Sequence, residues 1–388
     1  MQTTRKTLWL CYACTLALIL FIYIWGATGI LGGGTHAYRL FSFYGAIPTA
    51  LFVIGCVLGY KNARFKWLYP VMFGFLVRLV VVQFVNLQVG LPFFHFMFAA
   101  GGVALGTVGR LVAQHFSMQQ VLNTSVRVVV AVSCVVALIH VIHAATLDRR
   151  MQYVQISFSS PHITAELHGY TIAFVTDTHH ISARRLQGIV DELNNMEIDM
   201  LVLGGDFSSR VHHMQESVAI LAQTVTTDGV FGVEGNHDTY SFLFLAMRDY
   251  GITPLSNSGY RIRDNLFLAG VEDLWNRNPS VACAIQHAAA DDFVLLISHN
   301  PDVAMQQCTV GVDLILSGHT HAGQITFFGL WAPYLTFRST ITNYGHRFRT
   351  GWAYSRDGTP VFVSNGVGEY LPRVFARPQV VVVTLISD

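Results

Sequence analysis

The apolar positions follow two different patterns along the chain. Before about residue 147 they form long, nearly uninterrupted runs, whereas afterwards short apolar runs alternate with polar stretches. A helix needs about 20 mostly apolar residues to cross a bilayer. Five runs reach or approach that length, at about residues 8–28, 40–60, 68–89, 92–112 and 124–146. The pattern therefore predicts an N-terminal all-α region of about five transmembrane helices, followed by a region of a different kind.

Two of these assignments have alternatives. The first run could be the apolar core of a signal peptide, but its apolar core is long and its small-residue cleavage signal is weak, so we interpret it as an uncleaved span. The third and fourth runs are joined by a short turn and could pack as a buried helix pair of a globular domain. The nearly continuous apolar character between Lys66 and Arg110 favours the membrane instead.

The second region, from about residue 151, alternates predicted strands with predicted helices. The first strands are predicted at 153–158 and 170–176, and the helices at 182–195, 210–224 and 240–250. Such alternation implies βαβ units with a parallel sheet. Further strands are predicted at 261–270, 360–364 and 379–386, and we assign them to a second sheet.

Charge is distributed as unevenly as hydrophobicity. Residues 1–147 contain no Asp or Glu but nine Lys or Arg, whereas residues 148–388 hold all 23 acidic residues and carry a formal charge of −8. This change predicts a domain boundary between residues 147 and 148. The second domain is too acidic to favour long nucleic acid as a partner, because binding of long nucleic acid requires a surface that neutralises phosphates.

Basic residues in the loops between spans predict the orientation, because they favour the cytoplasmic side. With five spans, one side carries six of them and the other side three. The six are Arg5, Lys6, Lys61, Arg64, Lys66 and Arg110, and the three are Arg39, Arg149 and Arg150. The excess predicts a cytoplasmic amino terminus in the cell (inner) membrane and an extracytoplasmic second domain, although a different number of spans would reverse this.

Five apolar runs in the second region end abruptly in Asp, His or Asn. They are IAFVTDTHH at 172–180, MLVLGGD at 200–206, VFGVEGNHD at 230–238, FVLLISHN at 293–300 and LILSGHTHA at 314–322. Ligands of open α/β sheets bind beyond the carboxyl ends of the strands. We therefore expect eight polar residues at one sheet edge: Asp177, His179, Asp206, Asn236, His237, His299, His319 and His321. Any one of them could be a satisfied core residue, but the whole set at strand ends favours a site.

These motifs, in this order, resemble those of the calcineurin-like metallophosphoesterase superfamily. The match consists of Asp177-Thr178-His179, Gly205-Asp206, Gly235-Asn236-His237-Asp238, His299 and Gly318-His319-Thr320-His321. The resemblance covers about residues 153–386, and the tail at 364–385 is similar to the membrane-anchored, multi-pass branch. Ala322, where that branch often has a glycine, and the extra His180 are departures that remove no ligand. The resemblance implies a four-layer α/β/β/α sandwich at residues 148–388.

The resemblance also implies a ligand set for two metal ions. One ion would be held by Asp177, His179 and His321, and the other by Asn236, His299 and His319. Asp206 would bridge the two ions. Two ions in this arrangement clamp the attacking and leaving oxygens of a displacement at phosphorus, with a bridging hydroxide as nucleophile. Imidazole, carboxylate and amide donors without thiolate suit two divalent ions, for which we expect Mn, with Fe or Zn as alternatives.

The remaining candidate residues surround these ligands. His237 is expected to protonate the leaving oxygen or to stabilise the charge of the transition state. Asp238 could orient the His237 ring, or it could cap the following helix. We expect contacts with the substrate from His180, Arg338 and Arg373, the last two in or near the stretch at 325–354, which combines aromatic and basic residues. Such a stretch suits an interface with anionic lipid, although its aromatic residues could instead pack on the core.

Together these features predict a membrane-bound phosphoesterase with two metal ions. Its substrate is expected to be a phosphodiester, pyrophosphate or phosphomonoester in a lipid or cell-envelope molecule, and its partners are expected to be membrane lipids. Three other interpretations remain open. They are a nucleotide phosphodiesterase or nuclease, a transporter-like membrane protein with a regulatory phosphoesterase domain, and a binding module without activity.

Overall fold

The structure, a computed structural model, describes most of the chain from residue 142 onwards and a few residues before it. The described residues are 128, 131–132, 135–136, 138–140 and 142–388, except 180, 209, 333–334, 336–340, 369–372 and 388. Residues His140–Asp388 form one compact unit. Within the described residues, no helix has both the length and the apolar content needed to cross a bilayer. The first four predicted spans lie outside the described residues, and the fifth lies only partly within them.

The first of two six-stranded sheets contains the early strands and the last one. Its strands are β1 (Gln152–Ser159), β2 (Thr171–Val175), β3 (Met200–Leu203), β4 (Val230–Gly232), β5 (Thr253–Pro254) and β12 (Gln379–Ile386). The order is β1-β12-β2-β3-β4-β5. Strands β2 to β5 are parallel, whereas β12 runs antiparallel to β2 and parallel to β1. The carboxyl ends of β2, β3 and β4 therefore meet at one edge.

The second sheet contains the strands from the middle of the domain. Its strands are β6 (Ser258–Arg263), β7 (Leu266–Gly270), β8 (Phe293–Ile297), β9 (Leu314–Ser317), β10 (Gly351–Tyr354) and β11 (Pro360–Val363). The order is β10-β11-β9-β8-β7-β6, with antiparallel strands at both edges. The central strands β11, β9, β8 and β7 are parallel, so their carboxyl ends also share one edge.

Helices cover the outer faces of both sheets. They are α1 (Ala183–Asn195), α2 (Val211–Leu221), α3 (Tyr240–Asp249), α4 (Val281–Ala284) and α5 (Val303–Gln306). The alternation of side chains along β2 illustrates the layering, because successive residues of a strand face opposite sides. Ala173 and Val175 pack with α1, α2 and α3, whereas Ile172 and Phe174 pack against the second sheet. A third cluster joins α4 and α5 to the other face of that sheet. The domain thus has the four layers α/β/β/α that the family resemblance implies.

Three expectations from the sequence need correction. The run at 261–270 forms two strands, because the chain turns at Asp264 and Asn265, where Asn265 has φ of +62°. Asparagine tolerates this left-handed conformation. Strand β12 belongs to the first sheet, where its valine-rich run is buried between two neighbours, as expected of a central strand. Finally, the five strands that end in polar residues come from both sheets instead of one.

Candidate metal centre

The predicted site residues follow the carboxyl ends of five strands. Strands β2, β3 and β4 lead to Asp177, His179, Asp206, Asn236 and His237, and strands β8 and β9 lead to His299, His319 and His321. The structure brings side chains from both sheets together, because the carboxyl ends of the parallel strands lie on the same side of the domain in both sheets. Asp177, Asp206 and His299 are almost completely buried, and His237 and His321 are half-buried.

The buried carboxylates and imidazoles form two clusters. The first contains Asp177, His179 and His321, and the second contains Asp206, His299 and His319. Within each cluster, one ligand atom from every residue lies within 4.8 Å of the others. Each cluster draws ligands from both sheets. The amide oxygen Oδ1 of Asn236 lies 3.2 Å from Nε2 of His299, which places Asn236 beside the second cluster.

Asp206 contacts both clusters through a single oxygen. Its Oδ2 lies 3.5 Å from Nε2 of His179, a member of the first cluster, and 3.2 Å from Nε2 of His299, a member of the second. Its other oxygen accepts a hydrogen bond of 2.8 Å from the main-chain N–H of His237. The Asp206 carboxylate therefore lies between two sets of nitrogen donors, as a bridging ligand would.

Main-chain carbonyl groups orient two of the imidazoles. Nδ1 of His299 lies 2.8 Å from the carbonyl oxygen of Gly204, and Nε2 of His319 lies 2.8 Å from that of Ile341. A carbonyl oxygen only accepts hydrogen bonds, so each of these nitrogens must donate. The remaining nitrogens, Nε2 of His299 and Nδ1 of His319, face each other at 3.2 Å. Metal-binding histidines show this arrangement, in which one nitrogen donates to a carbonyl and the other binds the ion.

The first cluster has a similar arrangement. Nε2 of His179 and Nε2 of His321 are 3.1 Å apart, and Oδ1 of Asp177 lies 3.4 Å from Nε2 of His321. Facing nitrogen atoms and buried carboxylate oxygens with no thiolate among them are a suitable donor set for hard or borderline divalent cations. The residues of both clusters therefore fit a pair of divalent metal ions.

Burial and charge set the protonation of these groups. Burial lowers the pKa of His319 to about 3, and burial together with the charge of His179 holds the pKa of His321 well below its usual range. Both imidazoles are therefore neutral at neutral pH, with a lone pair available for a metal ion. Burial raises the pKa of Asp177 to about 6. Burial also tends to raise the pKa of Asp206, but the charges of His299 and His179 outweigh it and keep that pKa well below its usual range.

Five of the ligands adopt a left-handed backbone conformation. Their φ angles are +57° for Asp177, +42° for His179, +57° for Asp206, +70° for His319 and +51° for His321. Such conformations cost about 1–3 kcal/mol each in residues other than glycine, and they are typical of functional sites. Hydrogen bonds between the loops hold them in place. The N–H of Asp177 donates to the carbonyl of Gly205 (2.9 Å), and that of His179 donates to the carbonyl of Asp206 (3.0 Å).

Two glycines allow the carboxylates to approach the main chain closely. A Cβ atom on Gly318 would collide with the Asp177 carboxylate, and one on Gly235 would collide with the carboxylate and main-chain nitrogen of Asp206. These glycines precede ligands in the sequence, at the ends of β9 and β4. A side chain at either position would displace a ligand.

The structure places His237 at the rim of the clusters. Its ring lies 5.2 Å from the ring of His179, measured between centroids, and it is partly exposed. Asp238 differs from expectation. Its Oδ2 accepts from the main-chain N–H groups of Asp206 (2.8 Å) and Gly235 (2.9 Å), and its Oδ1 accepts from those of Phe207 (2.8 Å) and Ser208 (3.2 Å). Asp238 therefore joins two ligand loops through main-chain amides, and neither its expected bond to the His237 ring nor a helix cap is among these contacts.

Arg373 also differs from the expected substrate contact. Its side chain is buried and donates to the main-chain carbonyls of Gly366, Gly368 and Ala376. Its Nη2 lies 3.4 Å from Nδ1 of His321. A buried guanidinium that is surrounded by carbonyl groups is not available to a substrate. Arg373 instead supports the predicted metal ligand His321 through its contact with the imidazole. The other two predicted substrate contacts, His180 and Arg338, lie outside the described residues.

Sequence reasoning missed a short segment after β7. The ring of Trp275 packs edge-on against the ring of His319, with 4.6 Å between centroids. The side chain of Asn276 donates a 2.7 Å hydrogen bond to the carbonyl of Asn236. Asp273 fixes this segment by accepting from the main-chain N–H groups of both residues. The signal was present, since acidic residues, Glu272 and Asp273, follow shortly after the apolar run of β7.

A second missed residue is Asp148, at the point where the domain begins. Its buried carboxylate lies 2.7 Å from Nδ1 of His143 and accepts from the main-chain N–H groups of Phe375 (2.8 Å) and Ala376 (3.1 Å). The same short segment carries Arg373. Asp148 therefore ties the helix before the domain to the segment that supports His321.

Comparison with known proteins agrees with this geometry. Residues 170–323 match the family model described as calcineurin-like phosphoesterase. The chain is 27% identical over 321 residues to a "transmembrane protein with metallophosphoesterase domain" of Danio rerio, covering 76% of this chain and 70% of that protein. It is also 27% identical over 237 residues to the "uncharacterized metallophosphoesterase YkuE" of Bacillus subtilis, covering 56% of this chain and 80% of the relative.

Among solved structures, the phosphopantetheinyl hydrolase of Mycobacterium tuberculosis aligns with a TM-score of 0.31 at 11% identity. The alignment covers 53% of this chain and 91% of that one. A score this low supports no comparison of site or substrate. The similarity of this chain to metallophosphoesterases therefore depends on the family match, the relatives and the two clusters.

Proposed function

We propose that this protein is a metal-dependent hydrolase of phosphoric esters and that it acts at a membrane. The premise is that residues 170–323 belong to the calcineurin-like phosphoesterase family. Its substrate is a phosphodiester, pyrophosphate or phosphomonoester in a lipid or cell-envelope molecule. The observation that carries the catalytic part of the proposal is the position of Asp206 Oδ2, which lies within 3.5 Å of imidazole nitrogens from both clusters.

The chain would hold two divalent cations with the residues described above. Asp177, His179 and His321 would hold one, Asn236, His299 and His319 would hold the other, and Asp206 would serve both. Bound there, two such ions supply Lewis-acid polarisation of the phosphoryl group and acidify water near neutral pH. Manganese is our first choice and iron or zinc the alternatives, because the donor set lacks sulfur.

His237 is the residue that acts on the substrate. It is partly exposed at the rim, while its main-chain N–H is fixed to the Asp206 carboxylate by a 2.8 Å hydrogen bond. This position suits an imidazole that donates a proton to the leaving oxygen or a hydrogen bond to the phosphoryl oxygens. Asp238 and Asn276 position the loop that carries it, through the main-chain contacts of the two residues.

Three observations support the membrane location. The acid-free composition of residues 1–147 suits spans in the cell membrane, and the Lys and Arg distribution favours an extracytoplasmic catalytic domain. Helical residues just before the domain, among them Val132, Val135 and Ile142, have exposed apolar side chains. Two relatives bear names that describe them as transmembrane proteins. The formal charge of −8 on residues 148–388 argues against long nucleic acid as the substrate.

The proposal is tested by hydrolysis of a chromogenic phosphodiester and of the matching monoester by the full-length protein in detergent. Activity is measured with added manganese and with a chelator, and bound metal is measured by elemental analysis. We expect metal-dependent hydrolysis that Asp206→Asn abolishes together with metal binding. His237→Ala should retain metal and lose about 10²- to 10⁴-fold in turnover.

His287→Ala is the matched control, because this exposed histidine lies outside both clusters. It should retain both metal and turnover. Full turnover in His237→Ala would remove the role assigned to that residue. Failure of both phosphoesters to react in protein that contains two metal ions would contradict the proposed activity on simple phosphoesters.

A further inference from the structure

A loop next to the first cluster displays large apolar side chains to solvent. Phe327 is 50% exposed, Leu330 80% and Trp331 41%. The loop is not loose, because the N–H of Phe327 donates to the carbonyl of Trp331 (2.7 Å) and the N–H of Leu330 donates to the carbonyl of Phe327 (3.0 Å). Burying apolar side chains of this size stabilises a protein. A hydrogen-bonded turn that holds three of them outward therefore forgoes this stabilisation unless something covers it.

The loop packs against the helix that leads into the domain. The ring of His140 contacts the rings of Phe327 (5.4 Å between centroids) and Phe328 (4.5 Å), and the ring of His143 stacks on that of Phe375 at 3.7 Å. Ile142 and Leu147, in the same segment of the chain as His143, are 53% and 43% exposed. The loop is thus in contact with the end of the apolar run at 124–146.

Basic residues adjoin the residues of this surface in the sequence. Arg149 and Arg150 are exposed and follow directly after Leu147. Arg347 is exposed on the same acid-free stretch as the loop, which contains no Asp or Glu from residue 314 to residue 356. Asp148, between Leu147 and Arg149, is buried, and its carboxylate contacts Nδ1 of His143 and the main-chain N–H groups of Phe375 and Ala376. Basic residues at the border of an apolar surface suit the anionic head groups of a bilayer.

The same surface is directly connected to the metal centre. The loop begins shortly after His321 in the chain. The hydroxyl of Thr326 donates to the carbonyls of Val374 (3.1 Å) and Phe375 (3.2 Å). These two residues follow Arg373, which contacts His321. A surface seated on a bilayer at this loop would therefore bring the first cluster close to the head groups.

We infer that Ile142, Leu147, Phe327, Leu330 and Trp331 form a seating surface that lies against a lipid bilayer and presents the metal centre to phosphoryl groups in the head-group layer. This inference rests on the proposed function for the nature of the reaction. It adds a partner, the lipid surface itself, and a direction from which the substrate approaches.

The test places a fluorescent label at the tip of the loop. The full-length protein, with its natural cysteines replaced by serine, carries Leu330→Cys labelled with an environment-sensitive fluorophore. It is reconstituted into vesicles of phosphatidylcholine and phosphatidylglycerol, some of which carry a nitroxide on the lipid. Val310→Cys is the matched control, because Val310 is a similarly exposed apolar residue (71%) on a different loop. We expect quenching by the lipid nitroxide to be at least about twofold stronger at position 330 than at position 310, since the label would sit at the apolar boundary.

Equal quenching at the two positions would overturn the inference. Protection of the label at position 330 from both the lipid nitroxide and aqueous iodide would also overturn it, because a protein would then cover the surface. Hydrolysis of the chromogenic phosphodiester is measured on the same vesicles. Metal-dependent hydrolysis without quenching would reject the seating surface and leave the proposed function intact. Quenching without hydrolysis would support the seating surface and contradict the proposed function.

Discussion

Arg373 lies behind His321, with its Nη2 3.4 Å from the Nδ1 that faces away from the cluster. Three carbonyl oxygens fix the guanidinium in that position. A lysine cannot reproduce this, because a single ammonium group lacks the planar set of donors. We expect Arg373→Lys to lower metal affinity or turnover by about 10- to 100-fold, as loss of partners behind metal ligands does.

The measurement is turnover and KM on the chromogenic phosphodiester together with bound metal. KM should change little, because the guanidinium is buried and does not reach the substrate. Arg356→Lys is the control, since Arg356 is exposed and contacts only its neighbour Asp357 among the described ion pairs. A higher KM in Arg373→Lys with full metal content would indicate that Arg373 contacts the substrate.

Asp238 holds two ligand loops together through four main-chain amides. In Asp238→Asn, the NH₂ group would point at amide donors, so that two buried N–H groups would lose their acceptor. Each unsatisfied group costs about 1–3 kcal/mol. We expect the variant to be less stable by about 2–6 kcal/mol, and its melting temperature to fall by about 4–20 °C.

Thermal melting of the full-length protein in detergent measures this effect. Asp249→Asn, at an exposed position at the end of α3, should melt like the unchanged protein. An unaltered melting temperature in Asp238→Asn would mean that the four contacts contribute little.

The clusters predict stabilisation by metal ions. An ion that binds only the folded protein stabilises it by about 2.7 kcal/mol at 100 times its dissociation constant. We therefore expect manganese to raise the melting temperature by about 5–10 °C. In Asp206→Asn the rise should disappear, because the neutral amide cannot replace the carboxylate between the two sets of nitrogens. An equal rise in this variant would show that manganese binds elsewhere.

Asp302 gives a prediction that depends on pH. Burial raises the pKa of Asp302 above its usual value, and the hydroxyl of Thr342 and the N–H of Asn343 offset only part of this shift. The folded protein therefore keeps the Asp302 proton to a higher pH than the unfolded chain does. From about pH 4 upwards the unfolded chain loses this proton first, so the contribution of Asp302 to stability falls until its folded-state pKa is passed.

In Asp302→Asn this loss cannot occur. The melting temperature of the variant, relative to that of the unchanged protein, should increase as the pH rises from about 4 towards 7. Both proteins are measured in the presence of a chelator, so that metal binding does not contribute. Asp264→Asn, at an exposed position, should show no such trend. A constant difference across this range would contradict the assigned shift.

The ligands could be predicted from the sequence because each follows an apolar run. Asp177, Asp206 and His299 are marked by the end of a strand, and this local signal does not depend on which sheet the strand joins. The allocation of strands to sheets could not be predicted. Strands β11 and β12 are both valine-rich and largely buried, yet they lie in different sheets. Their neighbours are selected by packing between distant segments, and hydrophobic periodicity carries no information about that.

The supporting residues were missed for a related reason. Asp148 and Phe375 are separated by 227 positions, and the contact between them exists only in the folded domain. Arg373 looked like a surface arginine available to an anion, because burial of a single basic residue has no signature in the sequence. The left-handed backbone at the ligands was equally unpredictable, since histidine and aspartate adopt it more often than most residues other than glycine but still uncommonly. The loops of the metal centre impose it.

The position of β12 has a consequence for how the protein is made. Strand β1 has β12 as its neighbour in the sheet, and β12 also pairs with β2. The ribosome synthesises β1 and β2 long before residues 379–386. Until then the two early strands lack β12, the strand that lies between them in the sheet. Domains generally fold from the amino terminus as they emerge, and contacts between distant segments are slow to form. We therefore expect this domain to acquire its first sheet only after translation has passed β12, and nascent chains that stop before Gln379 to be substrates for chaperones and proteases.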